Sequence, residues 1–230
     1  MTTLAVDIGG GSIKVLALDD QGAPVTETLS RPTPSPAAPD AVFKLIHDMA
    51  DTLPPHPRVS VGFPGVVKDG VAQNAPNLGD ELWRGVRLNE QLTQLLQRPV
   101  RAVNDADLQG LGVVRGKGVE LVLTLGTGMG AALFTDGVLV PNLELAHHPL
   151  RDGQTYEDLV RDSELKRIGP VEWTGRVLNA IEQLEPIFNY DTLHLGGGNV
   201  RHLQAELPNN VRVFSLTEAL RGALKLWDGP

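Results

Sequence analysis

One pattern that occurs twice constrains this chain more than any other feature. Residues 6–20 read VDIGGGSIKVLALDD, and residues 123–137 read LTLGTGMGAALFTDG. Each copy is an apolar run, a glycine turn, a second apolar run and an acidic turn, the pattern of a β-hairpin. Gly9 and Gly11 align with Gly126 and Gly128 at one common offset. Each copy also opens a block of further strand-like and helix-like segments. With 230 residues the chain can hold two such blocks and bury a core. The repeat therefore predicts two related α/β lobes, residues 1–103 and 104–230, each offering a glycine hairpin to a shared cleft. The last helix, about 217–227, is placed to pack back on the first lobe.

Periodicity and turn residues fill in the blocks. Strands are expected at 2–8, 12–19, 24–30, 58–63, 99–103, 120–125, 131–134, 192–195 and 211–214. Amphipathic helices are expected at 40–53, 88–96 and 171–188, with further helices after Gly198 and from Thr217. Lys68-Asp69-Gly70 reads as a hairpin turn, and 31–39, 74–85 and 141–153 as loops.

Composition removes several function classes. The net charge of −8 argues against a nucleic-acid partner, so an anionic substrate needs a local site. There is no cysteine, which removes disulfides, thiolate chemistry and cysteine-based zinc sites and is compatible with a cytoplasmic location. The first residues lack the basic start of a secretory signal. The longest weakly polar run, 121–134, is too short to span a bilayer, so no membrane partner is expected.

Chemistry concentrates at the strand ends. The strand at 99–103 delivers Asn104 and Asp105, and the strand at 120–125 ends in Gly126-Thr127-Gly128. The latter is not a dinucleotide fingerprint, because a strand and not a helix follows. Residues 112–118 (GVVRGKG) do not make a Walker A loop either. Gly9-Gly10-Gly11-Ser12 could cradle a phosphate on its N–H groups, with Asp7 just ahead holding Mg²⁺ through water. Alone, that loop reads better as a bare tight hairpin; paired by the repeat, the two loops point to phosphate. On local grounds Asn104-Asp105 reads equally as a helix cap and as a carboxylate that accepts a hydroxyl proton during phosphoryl transfer. Asp107 lies further into the helix.

Glu144, His147 and Glu157 supply polar groups of the kind a sugar needs, or else a solvated loop. The Gly65 backbone and the Asn77 amide could fix sugar hydroxyls, or simply form turns. Gly196-Gly197-Gly198 follows a strand and could receive phosphate. Adjacent His147 and His148 make a poor metal site, since neighbours seldom face the same way. For a long polyanionic donor, Arg84, Arg115 and Lys117 are the candidate cations.

In order, and over nearly the whole chain, these segments resemble the ROK family of sugar kinases and regulators. DIGGGSIK resembles its first phosphate loop, VGFPGVV and NAPNL its sugar-side segments, and NDAD its catalytic segment. LTLGTGMGAALFTDGVLVPNLEL resembles the second phosphate loop, and LGGGN the distal glycine turn. The run GVLVPNLELAH is most like the polyphosphate glucokinase branch.

The resemblance implies a two-lobed ribonuclease-H-like (actin-like ATPase and sugar kinase) fold with an interlobe cleft. Under it Asp105 is the general base and Asn104, Glu144, His147 and Glu157 contact glucose, beside Gly65 and Asn77. The donor's phosphates fall to Asp7, Gly9, Gly10, Gly11, Ser12, Lys14, Gly126, Thr127, Gly128, Gly197 and Gly198. ATP or polyphosphate as donor, Mg²⁺ as cofactor, no zinc and a homodimer follow from the same resemblance. Glucose and mannose would fit the same contacts. Ala146 departs from the family, standing where the sugar-binding E-x-G-H pattern has glycine. That departure, with the short chain, supports an alternative: a non-catalytic sugar- or phosphate-binding protein on a decayed kinase scaffold. The chain also lacks an N-terminal helix-turn-helix, against a ROK repressor.

Overall fold

The computed structural model describes residues 1–228. Two compact units make up the chain: Met1–Gly112 with the segment from Ala219, and Val113–Glu218.

The first unit begins with β1 (Thr3–Ile8) and β2 (Ser12–Leu18), an antiparallel hairpin, and continues through β3 (Leu29–Pro32) and α1 (Pro39–Ala50). β4 (Arg58–Phe63), the small hairpin β5 (Val67–Lys68) and β6 (Val71–Ala72), α2 (Asp80–Trp83), α3 (Leu88–Leu96), β7 (Val100–Asn104) and α4 (Asp105–Val113) follow. Its sheet runs β3-β2-β1-β4-β7, with β4 and β7 parallel to β1. Strand alternation divides the side chains between two faces. Leu4, Val6, Ile8, Val59, Val61 and Phe63 meet Ile46 of α1 and Leu92 of α3 in one apolar cluster. Trp83 is fully buried there, edge-on to Phe43 at 5.7 Å, with its Nε1 donating to the Ala37 carbonyl.

The second unit repeats this plan. β8 (Val119–Leu125), β9 (Met129–Thr135) and β10 (Val138–Val140) form the antiparallel side. β11 (Pro149–Arg151) and β12 (Gln154–Thr155) make a small hairpin, and α5 (Tyr156–Val160), α6 (Asp162–Ile168) and α7 (Pro170–Phe188) follow. β13 (Thr192–Gly196) and β14 (Val211–Val213) then lie parallel to β8, giving the order β10-β9-β8-β13-β14. Leu121, Leu123 and Leu125 of β8 bury against Trp173, Val177, Ile181 and Leu184 of α7. Each such side chain removed from water contributes roughly 1.5–3 kcal/mol. The chain then passes through α8 (Leu216–Leu220) and ends in α9 (Gly222–Lys225). Among the described residues no helix is long and apolar enough to cross a membrane.

Several boundaries differ from the sequence reading. The first unit runs to Gly112 and not to 103, because α4 is seated on its sheet. There a Cβ on Gly62 would meet Leu108 at 3.3 Å, and a Cβ on Gly222 would collide with the Leu108 carbonyl. The expected strand at 24–30 is instead β3 at Leu29–Pro32, with Pro24 making only a bridge to Leu18. β3 is an edge strand, where a proline that donates nothing to the ladder is tolerated. The loop at 74–85 contains α2, and the loop at 141–153 contains a 3₁₀ turn at Leu145–His147 and β11. After Gly198 the chain forms only a short 3₁₀ turn, Val200–His202.

Candidate active site

In the first unit, three parallel strands end at the same edge of the sheet. Phe63 is in register with Asn104, and Asp7 with Gly62, so the residues just beyond β1, β4 and β7 are neighbours. Ligands of open α/β sheets bind outside the carboxyl ends of such strands. Asn104 ties two of these ends together, its Nδ2 donating to the Gly65 carbonyl at 3.2 Å. Its Oδ1 accepts from the N–H groups of Ala106 and Asp107, so Asn104 also caps α4. Asp105, half-buried, is the first residue of that helix, and its Oδ1 accepts from the Ala106 N–H at 2.8 Å. Both residues of the pair therefore take part in capping α4.

The first glycine loop joins this edge. Gly9 N–H donates to the Ser12 carbonyl at 3.0 Å, closing the turn. The N–H groups of Gly10 and Gly11 have no internal partner among the described residues. Asn77 is exposed and lies against the loop, its carbonyl 3.0 Å from where a Gly10 Cβ would be. Asp7 and Lys14 face each other across the hairpin as an ion pair at 3.3 Å, each about half exposed. Asn74, read from the sequence only as the first residue of the NAPNL segment, braces the Gly65 turn by accepting from the Val66 N–H at 2.7 Å. Its position among turn residues gave no local sign of that role.

In the second unit the same edge carries the second glycine turn. Leu125 pairs with Met129, leaving three residues between β8 and β9, whereas four separate Ile8 from Ile13. The repeat therefore slips by one residue after the turn. Gly126 N–H closes the turn on the Gly128 carbonyl at 2.9 Å, leaving Thr127 and Gly128 N–H without an internal partner among the described residues. Gly197, at φ +90°, packs its Cα against the Leu125 backbone, where any side chain would collide. Asn199 Nδ2 donates to the Gly126 carbonyl at 3.0 Å. Gly197 is thereby joined to the second turn, while Gly198 lies in open space.

Glu144 and His147 bracket the 3₁₀ turn, their side chains 3.4 Å apart. Glu157 sits in the first turn of α5, which packs against that 3₁₀ turn, and its Oε2 accepts from the Met129 N–H at 3.0 Å. The Ala146 methyl, standing where the family pattern has glycine, is buried in the apolar cluster of this unit.

Two of the candidate donor cations lie far from the second glycine turn within this unit. Arg115 and Lys117 lie at the start of β8, and the glycine turn lies at its other end, about 20 Å away at ~3.3 Å per residue. Their loop is held there by Glu120, which accepts from the N–H groups of Arg115, Gly116 and Lys117 and lies 2.7 Å from His194 Nε2. Burial alone would raise the Glu120 carboxyl; these N–H groups and His194 outweigh it and hold it below its ordinary value. Nearer the turn is Lys166, paired with Asp162 at 2.5 Å. Asp162 N–H itself donates to the Gly126 carbonyl.

A profile of the ROK family matches residues 3–141. The chain belongs to the ROK family. Among curated ROK relatives, the polyphosphate glucokinase of Mycobacterium leprae is 32% identical over 88% of this chain. That of Mycobacterium tuberculosis is 31% identical over the same share. The chain spans 65% of the first relative's length and 80% of the second's. Among solved structures, the inorganic polyphosphate/ATP-glucomannokinase of an Arthrobacter strain superposes with a TM-score of 0.86 at 30% identity, covering 98% of each chain. A ROK glucokinase from Streptomyces griseus, solved with glucose and AMPPNP, gives 0.82 over 98% of this chain and 99% of its own. At 19% identity that second likeness is one of fold. The fold is the actin-like, ribonuclease-H-like sugar-kinase fold of the ROK proteins. The duplicated five-strand sheets described above are its two halves.

Proposed function

We propose that this ROK protein is a sugar kinase that moves the terminal phosphoryl group of polyphosphate or ATP to the 6-hydroxyl of glucose. The observation that carries this reading is the placement of Asp105 and the Gly9–Gly11 loop together at the carboxyl edge of one sheet, with a second glycine turn at the equivalent edge of the repeated sheet. Likeness to polyphosphate glucokinases and to a polyphosphate/ATP-glucomannokinase supports the choice of acceptor and donor.

In this mechanism the sugar oxygen forms a bond to the terminal phosphorus as the bridging P–O bond of the donor breaks. Asp105 takes the hydroxyl proton, and the shortened donor leaves with the bridging oxygen. Asn104, Gly65, Asn77, Glu144, His147 and Glu157 orient the sugar. The open N–H groups of Gly10, Gly11, Thr127 and Gly128 are donors for phosphate oxygens, with Ser12, Lys14, Gly9, Gly126, Gly197 and Gly198 around them. Mg²⁺ typically takes only one or two carboxylates and completes its shell with water and phosphate. Asp7, about half exposed beside the loop, fits that demand and would hold the ion, which supplies charge neutralisation on the phosphates. The rival reading of a non-catalytic binding scaffold drew on Ala146 and the short chain; the Ala146 methyl is buried in the apolar cluster of the second unit.

The test is Asp105→Asn, which keeps an oxygen to accept from Ala106 and removes the base. Glucose 6-phosphate formation, assayed with ATP and with polyphosphate, should fall by roughly 10²–10⁴-fold with Tm unchanged. Turnover near wild type would remove Asp105 from the mechanism. A panel of hexoses in the same assay ranks glucose against mannose.

A further inference from the structure

Within the second unit the sugar-side carboxylate and the donor-side turn form one hydrogen-bonded piece. Glu157 is held at the start of α5, where Thr155 and Asp158 make a reciprocal capping box. From there its Oε2 reaches the N–H of Met129, the first residue after the 126–128 turn. Gly128 shows how closely the two are fitted. A Cβ added there would collide with Oε2 and stand 3.0 Å from Cδ of Glu157. Gly128 is not among the residues of positive φ, so backbone conformation does not require glycine at this position. Glycine there instead leaves the room that the Glu157 carboxylate occupies. On its other side the turn is anchored through the Gly126 carbonyl, which accepts from Asp162 N–H and Asn199 Nδ2.

We infer that Glu157 is a positioning residue that couples sugar occupancy to the donor turn. Oε2 fixes the Met129 N–H and Oε1 is the oxygen that answers a sugar hydroxyl. A sugar that orders this carboxylate also orders the turn, and by linkage a phosphate that orders the turn tightens the sugar site by the same factor. The inference rests on the sugar-kinase reading above.

Sugar binding measured with glucose and with mannose alone, no donor present, isolates the coupling. Gly128→Ala lies in the donor turn and pushes aside only the flexible end of Glu157, so the protein should fold. Its sugar affinity should nevertheless drop about ten-fold, the loss expected for a displaced charged hydrogen-bond partner. Gly128→Ala combined with Glu157→Ala should bind sugar no more weakly than Glu157→Ala alone. In steady state at saturating sugar, Glu157→Gln keeps an oxygen for Met129 and should hold the donor KM within about two-fold of wild type, whereas Glu157→Ala should raise it about ten-fold. Sugar affinity of Gly128→Ala within about two-fold of wild type would overturn the coupling, as would equal donor KM values in the Gln and Ala variants. A wild-type protein that neither binds nor phosphorylates any hexose overturns the sugar-kinase reading itself, a result distinct from either of those.

Discussion

At the scale of a residue, Asn104 shows why a polar pair at a strand end resists interpretation from neighbours alone. Its amide nitrogen holds the Gly65 carbonyl, 39 positions away, while its oxygen caps α4. Asn104→Ala should cost ~1 kcal/mol through the lost cap, lowering Tm by ~3 °C in a chain of this size. Asn104→Asp retains the cap and should recover most of that Tm, yet it sets an acceptor against the Gly65 carbonyl and should still impair turnover. Calorimetry and the coupled assay separate the two effects; an alanine variant as stable as wild type would contradict the cap. Gly222 is the harsher case. Any side chain there meets the Leu108 carbonyl, a backbone atom that cannot swing away. Gly222→Ala should destabilise the first unit by ~2 kcal/mol or more, read as a lowered denaturant midpoint.

At the scale of elements, α6 and α7 are joined by charge as well as by apolar packing. Glu164 of α6 takes two hydrogen bonds from Arg167 and one from Arg176 of α7, which also holds Glu172. The Arg167 hydrogen bonds lead in holding the Glu164 carboxyl down to about 2. Because this folded value lies below the unfolded one, the stabilisation is present above about pH 4.5 and is lost as pH falls towards 2. Glu164→Gln should therefore be less stable than wild type at neutral pH, with the gap closing across that acid window and shrinking in high salt. Acid-denaturation curves for the two proteins measure it; a gap independent of pH would show that packing, not charge, is at stake. These elements also mark a limit of periodicity. β4 and α3 fall where expected because each is bounded by clear turn residues, whereas α5 and α6 are too short for a helical period to register.

At the scale of the molecule, the first unit is closed by the last residues of the chain. Ala223, with Leu220 and Leu224, covers Ala5, Leu16 and Leu18 on the sheet face opposite α1. Trp227 donates to Ser60 and lies under the guanidinium groups of Arg58 and Arg101, at 5.4 and 4.7 Å from its ring centre. Trp227→Ala should cost roughly 3 kcal/mol from lost packing and cation–π contact. Hydrogen exchange should then quicken in β1, β2 and β4 and stay unchanged in β8 and β13. Equal quickening in both sets would mean that the two units do not unfold separately.

The repeat, read from residues alone, determined that two hairpin-led α/β units would form and which turns would carry open N–H groups. That information is local: apolar alternation and glycine position are properties of short segments. Only the tertiary structure decided that Glu157, 28 residues from Met129, would brace the second turn, and that Arg115 and Lys117 would sit at the end of β8 away from that turn. It also decided that α4 belongs with the first sheet. Such contacts depend on how strands are ordered and on which face a side chain leaves, and neither is encoded in the few residues around each partner.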